Sequence, residues 1–100
     1  MLPHGLTIPA ARLADVCQRY GVSRLALFGS VLRPDFPPDS DVDILVEFRP
    51  GSRAGLFAFA GLEMELSELL GRAVHLHTPP MLGPWYRDQV LREAQVQYAA

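Results

Sequence analysis

"FGSVLRPDFPPDSDVDILVEF", residues 28–48, is the stretch that decides how the chain folds. Every other position of its second half is apolar: Val42, Ile44, Val46 and Phe48. The positions between them are mostly acidic. Alternation with a period of two predicts a β-strand with one apolar and one mostly acidic face. The preceding segment 34–40 (PDFPPDS) contains three prolines, which predicts a loop.

The N-terminal third predicts a helix followed by a strand. Apolar side chains recur at helical spacing within residues 8–20, namely at Leu13, Val16, Cys17 and Tyr20. Thr7 can cap the start of this helix and Gly21 its end. Residues 24–28 (RLALF) are a short apolar run, which predicts a buried strand that ends at Gly29.

The C-terminal half predicts a helix, a strand and a closing helix. Residues 55–70 have one broad apolar face, and Gly71 is their C-terminal stop. Residues 73–77 (AVHLH) predict a third strand, and residues 84–98 a helix with Pro84 near its first turn. With a very short helix after the first strand, the order is α-β-α-β-α-β-α. We therefore expect an α/β (α+β) fold in which helices cover a small mixed β-sheet.

Length and composition indicate an ordinary globular chain. One hundred residues fit a single domain over residues 1–100. A net charge of −2 argues against a dedicated nucleic-acid binder, although it does not exclude a nucleotide. The single cysteine, Cys17, excludes an internal disulfide and favours a reducing cytoplasm. No signal peptide and no apolar run of about 18 residues is present, so we expect no membrane association.

Two carboxylates stand at the head of the alternating strand. Residues two apart in a strand share a face and lie about 6.6 Å apart, so Asp41 and Asp43 point the same way. Such a pair repels itself unless a cation or solvent intervenes. Carboxylate oxygens suit Mg²⁺, which takes one or two of them together with substrate phosphates. The alternative for this short motif is a solvated strand end.

Gly29 and Ser30 follow directly after the first strand. A glycine at this point lets backbone N–H groups approach a phosphate closely, and the Ser30 hydroxyl can donate as well. Arg33, three residues further on, can reach the same phosphate. The alternatives are a plain strand-ending turn and a surface arginine.

The combination is more specific than its parts. A strand, Gly-Ser, a ten-residue interval and then D-x-D opening an alternating strand resemble the minimal nucleotidyltransferases of the DNA polymerase β-like superfamily. The resemblance extends over nearly the whole chain. The segments that carry it are VSRLALFGS, PDSDVDILVEF, LEMELSELLGRAV and RDQVLREA.

The resemblance implies a role for each matching residue. Gly29 and Ser30 match the Gly-Ser pair that receives the triphosphate, and Arg33 matches the arginine of the family's GSxARG form. Asp41 and Asp43 match the metal-binding acids. The implied reaction is attack of a hydroxyl on the α-phosphorus of an NTP, with ATP expected. Mg²⁺, or alternatively Mn²⁺, would serve as the metal.

The chain departs from the family pattern at two positions. Pro34 replaces the glycine of GSxARG, which stiffens the turn. His75 stands where the family pattern VDLV supplies a third carboxylate, a metal ligand and candidate base. An imidazole can act as a base near neutral pH, but it is a poorer ligand for Mg²⁺. His77 lies on the same strand face; the alternative for both is a pair of surface histidines.

Other conspicuous side chains are assigned to packing or solvent. Cys17 is expected to be a packed thiol, and Trp85 and Tyr86 to serve core or partner packing rather than base stacking. Three glutamates are assigned to the solvated face of the second long helix: Glu63, Glu65 and Glu68.

Two functions compete. The resemblance implies an enzyme that transfers a nucleotidyl group to a hydroxyl of a partner protein, as the antitoxin of a small helical HEPN-domain toxin. The alternative is a nucleotide-binding antitoxin or interaction module with little or no turnover, which the missing third acid favours.

Overall fold

A computed structural model describes residues 8–35, 40–51 and 55–100. The described residues form three α-helices: α1 (Ala10–Tyr20), α2 (Leu56–Leu70) and α3 (Pro84–Glu93). They also form four strands: β1 (Val22–Phe28), β2 (Val42–Phe48), β3 (Val74–His77) and β4 (Gln95–Ala99). Two short 3₁₀ helices complete the order, at Gly29–Leu32 after β1 and at Pro79–Met81 after β3.

The four strands form one mixed sheet in the order β3-β2-β1-β4. β1 pairs with β2 and with β4 in antiparallel orientation, whereas β2 and β3 are parallel. The end of β1 therefore meets the start of β2, and the start of β3 lies beside it. The expected class, a small mixed sheet covered by helices, is confirmed.

The predicted closing helix over residues 84–98 is wrong in its second half. α3 ends at Glu93, Ala94 adopts an extended backbone, and residues 95–99 become β4. Pairing with β1 explains the change, since Leu25 lies opposite Tyr98 and Leu27 opposite Gln95. Hydrogen bonds to the free edge of β1 thus prevail over the local preference for continuing the helix.

The predicted C-terminal ends of the first two long helices and the predicted start of the last one are correct, whereas α1 begins at Ala10 and not at residue 8. Gly21 and Gly71 follow α1 and α2 in the left-handed conformation, at φ of 71° and 69°. Pro84 is in the first turn of α3. Pro9 stands at the N-cap of α1 and provides no side-chain cap, while Thr7 lies outside the described residues.

α1 and α2 cover one face of the sheet and enclose the main core. Its buried members are Leu13, Val16, Cys17, Val22, Leu25, Leu27, Val31, Val42, Ile44, Val46, Leu62, Leu66, Val74 and Leu76. Cys17 is fully buried, as expected of a packed thiol, and desolvation raises its pKa to about 11. The apolar face of the alternating strand thus packs against the helices, as expected when successive side chains point to opposite faces.

α3 covers part of the opposite face, the one that carries the acids. Phe28, Leu45 and Leu82 are buried there, and Tyr86 and Val90 of α3 pack against them. The predicted packing role of Tyr86 therefore fits, whereas Trp85 is 86% exposed. α3 covers Leu45, whereas the acidic end of the same face remains accessible at Asp41 and, in part, at Asp43.

The prediction that all three glutamates of α2 lie on a solvated face is wrong for two of them. Glu63 Oε2 accepts a hydrogen bond of 2.9 Å from the backbone N–H of Leu76, on the edge strand β3. Glu65 accepts from Arg19 of α1, at 2.7 Å, and from the Tyr20 hydroxyl. These two hydrogen bonds lower the pKa of Glu65, and the bond with Arg19 contributes most. Glu68 is exposed, as expected.

None of the helices in the described part of the chain has the length and apolar character that crossing a bilayer requires.

The core position of Leu62 predicts a large loss of stability on truncation. Leu62→Ala removes a fully buried side chain, so we expect the free energy of unfolding to fall by about 2–5 kcal/mol. Leu56→Ala is the matched control on the same helix, because Leu56 is 81% exposed. Its effect is expected to stay within about 0.5 kcal/mol. Urea denaturation measures both; similar losses would contradict the assigned packing of α2.

Candidate functional site

Strand pairing gathers the predicted site residues at one end of the sheet. Phe28, the last residue of β1, lies opposite Asp43 of β2, and Asp43 lies beside His75 of β3. Gly29 and Ser30 follow Phe28 directly, so the Gly-Ser turn reaches the same end. Asp43 and His75, which are 32 positions apart in sequence, are therefore neighbours in space.

Gly29 is required by both the backbone and its neighbour. Its φ is +78°, a left-handed conformation that side chains with a Cβ rarely adopt. A Cβ added at this position would lie 2.7 Å from Oδ2 of Asp43. The sequence predicted a glycine turn here, but the close approach of the Asp43 carboxylate depends on strand register.

The turn after Gly29 is a single 3₁₀ turn in which the backbone N–H of Arg33 donates to the Ser30 carbonyl at 3.0 Å. Ser30 is half-buried and Arg33 is exposed. Arg33 and Gly29 line one side of a groove of about 540 Å³. The other lining residues are Leu32, Gln89, Glu93 and Gln95. The sequence did not indicate this groove because one wall depends on the turn from α3 into β4.

Each acid of the D-x-D motif contacts a histidine of β3. His75 Nε2 lies 2.8 Å from Oδ2 of Asp41, and both side chains are exposed, at 60% and 46%. His77 Nε2 lies 3.3 Å from Oδ1 of Asp43, and these side chains are half-buried. The acidic strand end is therefore not simply solvated, because each carboxylate has an imidazole partner.

His77 is a site residue to which the sequence reading gave no role. Its ring packs edge-on against Phe28, with the ring centroids 5.1 Å apart and the planes at 77°. The available signal was period two, which puts His77 on the same face as His75. Which carboxylate it contacts depends on the pairing of β3 with β2, and residue order alone does not give that pairing.

The donor atoms at this end of the sheet fit a hard divalent cation that shares its ligands with a phosphate. Among the described residues, no three His, Cys, Asp or Glu side chains surround one point. Asp41 and Asp43 offer two carboxylates at this end of the strand face. Two carboxylates are what Mg²⁺ usually takes from a protein when substrate phosphates and water supply the other ligands.

The residues of this site lie within a match to a known protein family. A family model described as a nucleotidyltransferase domain matches residues 12–96, which include both parts of the site. The chain belongs to this family. Membership confirms the resemblance identified from the Gly-Ser and D-x-D motifs and the assignment of the chain to a family of transferases.

One protein of similar sequence is the "Protein adenylyltransferase MntA" of Thermococcus cleftensis. It is 38% identical over 87 residues, which are 87% of this chain and 86% of the relative. A solved "Structure of putative minimal nucleotidyltransferase" is 40% identical with a TM-score of 0.69, and the match covers 85% of each chain. Fold and family therefore agree along most of both chains.

A more distant structure shares only the fold. It is a "tri-AMPylated Shewanella oneidensis HEPN toxin in complex with MNT antitoxin", at 17% identity and a TM-score of 0.61. The match covers 91% of this chain and 70% of the other.

The contact between Gly29 and Asp43 predicts an unusual cost for a single methyl group. Gly29→Ala and Gly71→Ala both put a Cβ on a left-handed residue, which costs about 1–2 kcal/mol. Only at Gly29 would the Cβ also collide with the carboxylate, since no heavy atom of the described residues lies within 4 Å at Gly71. We expect Gly29→Ala to lose more stability in urea denaturation. Equal losses would contradict the close approach.

Proposed function

We propose that this chain transfers AMP from ATP to a hydroxyl group of a partner protein, in a reaction that depends on Mg²⁺ and tolerates Mn²⁺. The observation that carries the proposal is the proximity of Gly29 to Asp43. A phosphate-binding turn and a metal-binding carboxylate need to be this close if one nucleotide is to contact both. Family membership supports the same reaction type.

Each site residue has a proposed role. Gly29 and Ser30 bind the triphosphate through the backbone of the turn and the Ser30 hydroxyl, and Arg33 pairs with a phosphate oxygen from its exposed position. Asp41 and Asp43 hold the metal ion. Such an ion, when bound, neutralises the charge that develops on the phosphate and on the leaving oxygen.

The proposed step exchanges one P–O bond for another. The acceptor hydroxyl oxygen bonds to the α-phosphorus, while the bond from that phosphorus to the oxygen bridging to the β-phosphate breaks. Pyrophosphate leaves with the bond's electron pair. The hydroxyl proton passes to His75, so the products are an AMP ester and pyrophosphate.

His75 can accept that proton only if one of its ring nitrogens is free. In the structure Nε2 faces Oδ2 of Asp41 at 2.8 Å, and a carboxylate oxygen accepts, so Nε2 carries the hydrogen in this contact. Engagement of Asp41 with a cation would end the contact and leave the exposed His75 ring free to turn. In the neutral ring Nδ1 then carries no hydrogen, and it is the nitrogen that accepts the proton.

We propose that the partner is a small helical HEPN-domain toxin and that this chain is its antitoxin. One chain of the solved complex of an AMPylated HEPN toxin with an MNT antitoxin has the same fold as this protein, which supports this pairing. The relative named a protein adenylyltransferase supports a protein hydroxyl as acceptor. We further propose that residues 1–100 act as one domain in the cytoplasm.

Loss of either acid is expected to abolish transfer. Labelled ATP and Mg²⁺ are incubated with the chain and a HEPN-domain protein, first of all one encoded beside it. We expect label on the partner with the wild type and at least about a hundredfold less with Asp41→Asn or Asp43→Asn. Asp15→Asn, the same change on exposed α1, is the control that retains transfer.

An alternative is a nucleotide-binding antitoxin that no longer turns over. The observation that favours it is His75 in place of a third carboxylate, since imidazole is a weaker ligand for Mg²⁺. The same incubation separates the two functions. A tight complex with the partner and no label with Mg²⁺ or Mn²⁺ would establish the alternative and remove the transferase proposal.

His75 gives the sharper test of mechanism. If it is the base, His75→Ala lowers the single-turnover rate of label transfer by about 10²–10⁴-fold without preventing nucleotide binding. His75→Asp provides an acid that can serve as base and ligand, so we expect it to retain transfer with Mg²⁺. Unchanged transfer by His75→Ala would exclude His75 as the base.

A further inference from the structure

The two histidines of β3 differ in how firmly they are held. The His75 side chain is 60% exposed, and within the described part of the chain its ring contacts Asp41. The His77 side chain is 29% exposed, and it has two supports: Oδ1 of Asp43 at 3.3 Å and the ring of Phe28. Phe28 is itself 7% exposed, so it is a fixed surface for the imidazole.

The two oxygens of the Asp43 carboxylate face different neighbours. Oδ1 contacts His77 Nε2, whereas Oδ2 lies on the side of Gly29, 2.7 Å from where a Cβ would stand. Its side chain is 30% exposed, compared with 46% for Asp41. Asp43 therefore has one preferred orientation, and in that orientation Oδ2 points to the Gly-Ser turn.

We propose that His77 is a positioning residue that orients Asp43 for the metal ion. Nε2–H donates to Oδ1 because the carboxylate oxygen can only accept there, and Phe28 fixes the plane of the donating ring. Oδ2 is thereby directed to the space beside Gly29. The inference rests on the proposed function, in which Asp43 is a metal ligand.

The physical basis is that a metal-binding carboxylate loses rotational freedom when it binds. A partner that holds the carboxylate in the binding orientation beforehand reduces this loss, as hydrogen-bond partners of metal ligands generally do. Removing such a partner typically weakens metal affinity by about 10–100-fold. His75 cannot serve Asp41 equally well, because none of the described residues provides a buried ring that fixes its plane.

Two substitutions separate the hydrogen bond from the ring. His77→Phe keeps an aromatic ring against Phe28 but removes the donor. His77→Gln removes the ring but carries an amide N–H at a reach similar to Nε2. Binding of Mn²⁺ alone is measured by electron paramagnetic resonance, and folding by thermal denaturation. We expect His77→Phe to bind Mn²⁺ about 10-fold or more weakly and His77→Gln to bind nearly as well as the wild type.

Three outcomes overturn the inference. Unchanged affinity in His77→Phe means that the hydrogen bond does not position Asp43. Equal losses in His77→Phe and His77→Gln mean that restoring an N–H donor does not restore the affinity, so the hydrogen bond alone does not position Asp43. If His77→Phe does not fold, His77→Asn replaces it, because its shorter amide cannot reach Oδ1; equal affinity of the Asn and Gln variants then overturns the inference.

Asp43→Asn distinguishes this inference from the proposed function. If Asp43→Asn binds Mn²⁺ as well as the wild type, Asp43 is not a ligand, and the metal site of the proposed function and the role of His77 are both wrong. If Asp43→Asn weakens binding and His77→Phe does not, only the role of His77 is wrong.

Discussion

The pairing of Phe28 with Asp43 is the constraint on which the site depends. It fixes the antiparallel register of β1 and β2 and so brings Gly29 against the Asp43 carboxylate. A slip of one residue would turn Asp43 into the core and Val42 out of it, since side chains alternate with a period of two. Burial of Val42 therefore stabilises the same register that the site needs. The core and the site are specified together.

The two faces of the sheet have different roles. α1 and α2 enclose a core on one face, whereas α3 covers only the Leu45 half of the other. The uncovered half carries the acids and the histidines, so these side chains lie on paired strands and remain accessible. On the core face, Glu63 and Ser67 of α2 bond the backbone N–H groups of Leu76 and Val74 in the edge strand β3. This anchors the strand that carries the histidines.

The sequence predicted those features that depend on local patterns. The alternation around Asp43 predicted the strand and its acidic face, and the glycine after β1 predicted the turn. β4 was missed because its five residues follow a helix without a break signal, and only the free edge of β1 makes them a strand. The contact of His77 with Asp43 was missed for the same reason: it depends on which strands are neighbours, which is a property of the whole sheet. Non-local pairing thus accounts for both failures.

Replacement of the expected third acid by His75 changes the electrostatics of the site as a whole. Three carboxylates at one strand end would repel one another strongly without a cation, whereas here each of two carboxylates has an imidazole beside it. A cation must compete with His75 for Oδ2 of Asp41, whereas His77 contacts Oδ1 of Asp43 and leaves Oδ2 on the side of Gly29. Under the proposed function, two carboxylates leave the remaining ligands of the metal ion to the nucleotide phosphates, so metal and nucleotide are expected to bind most favourably together.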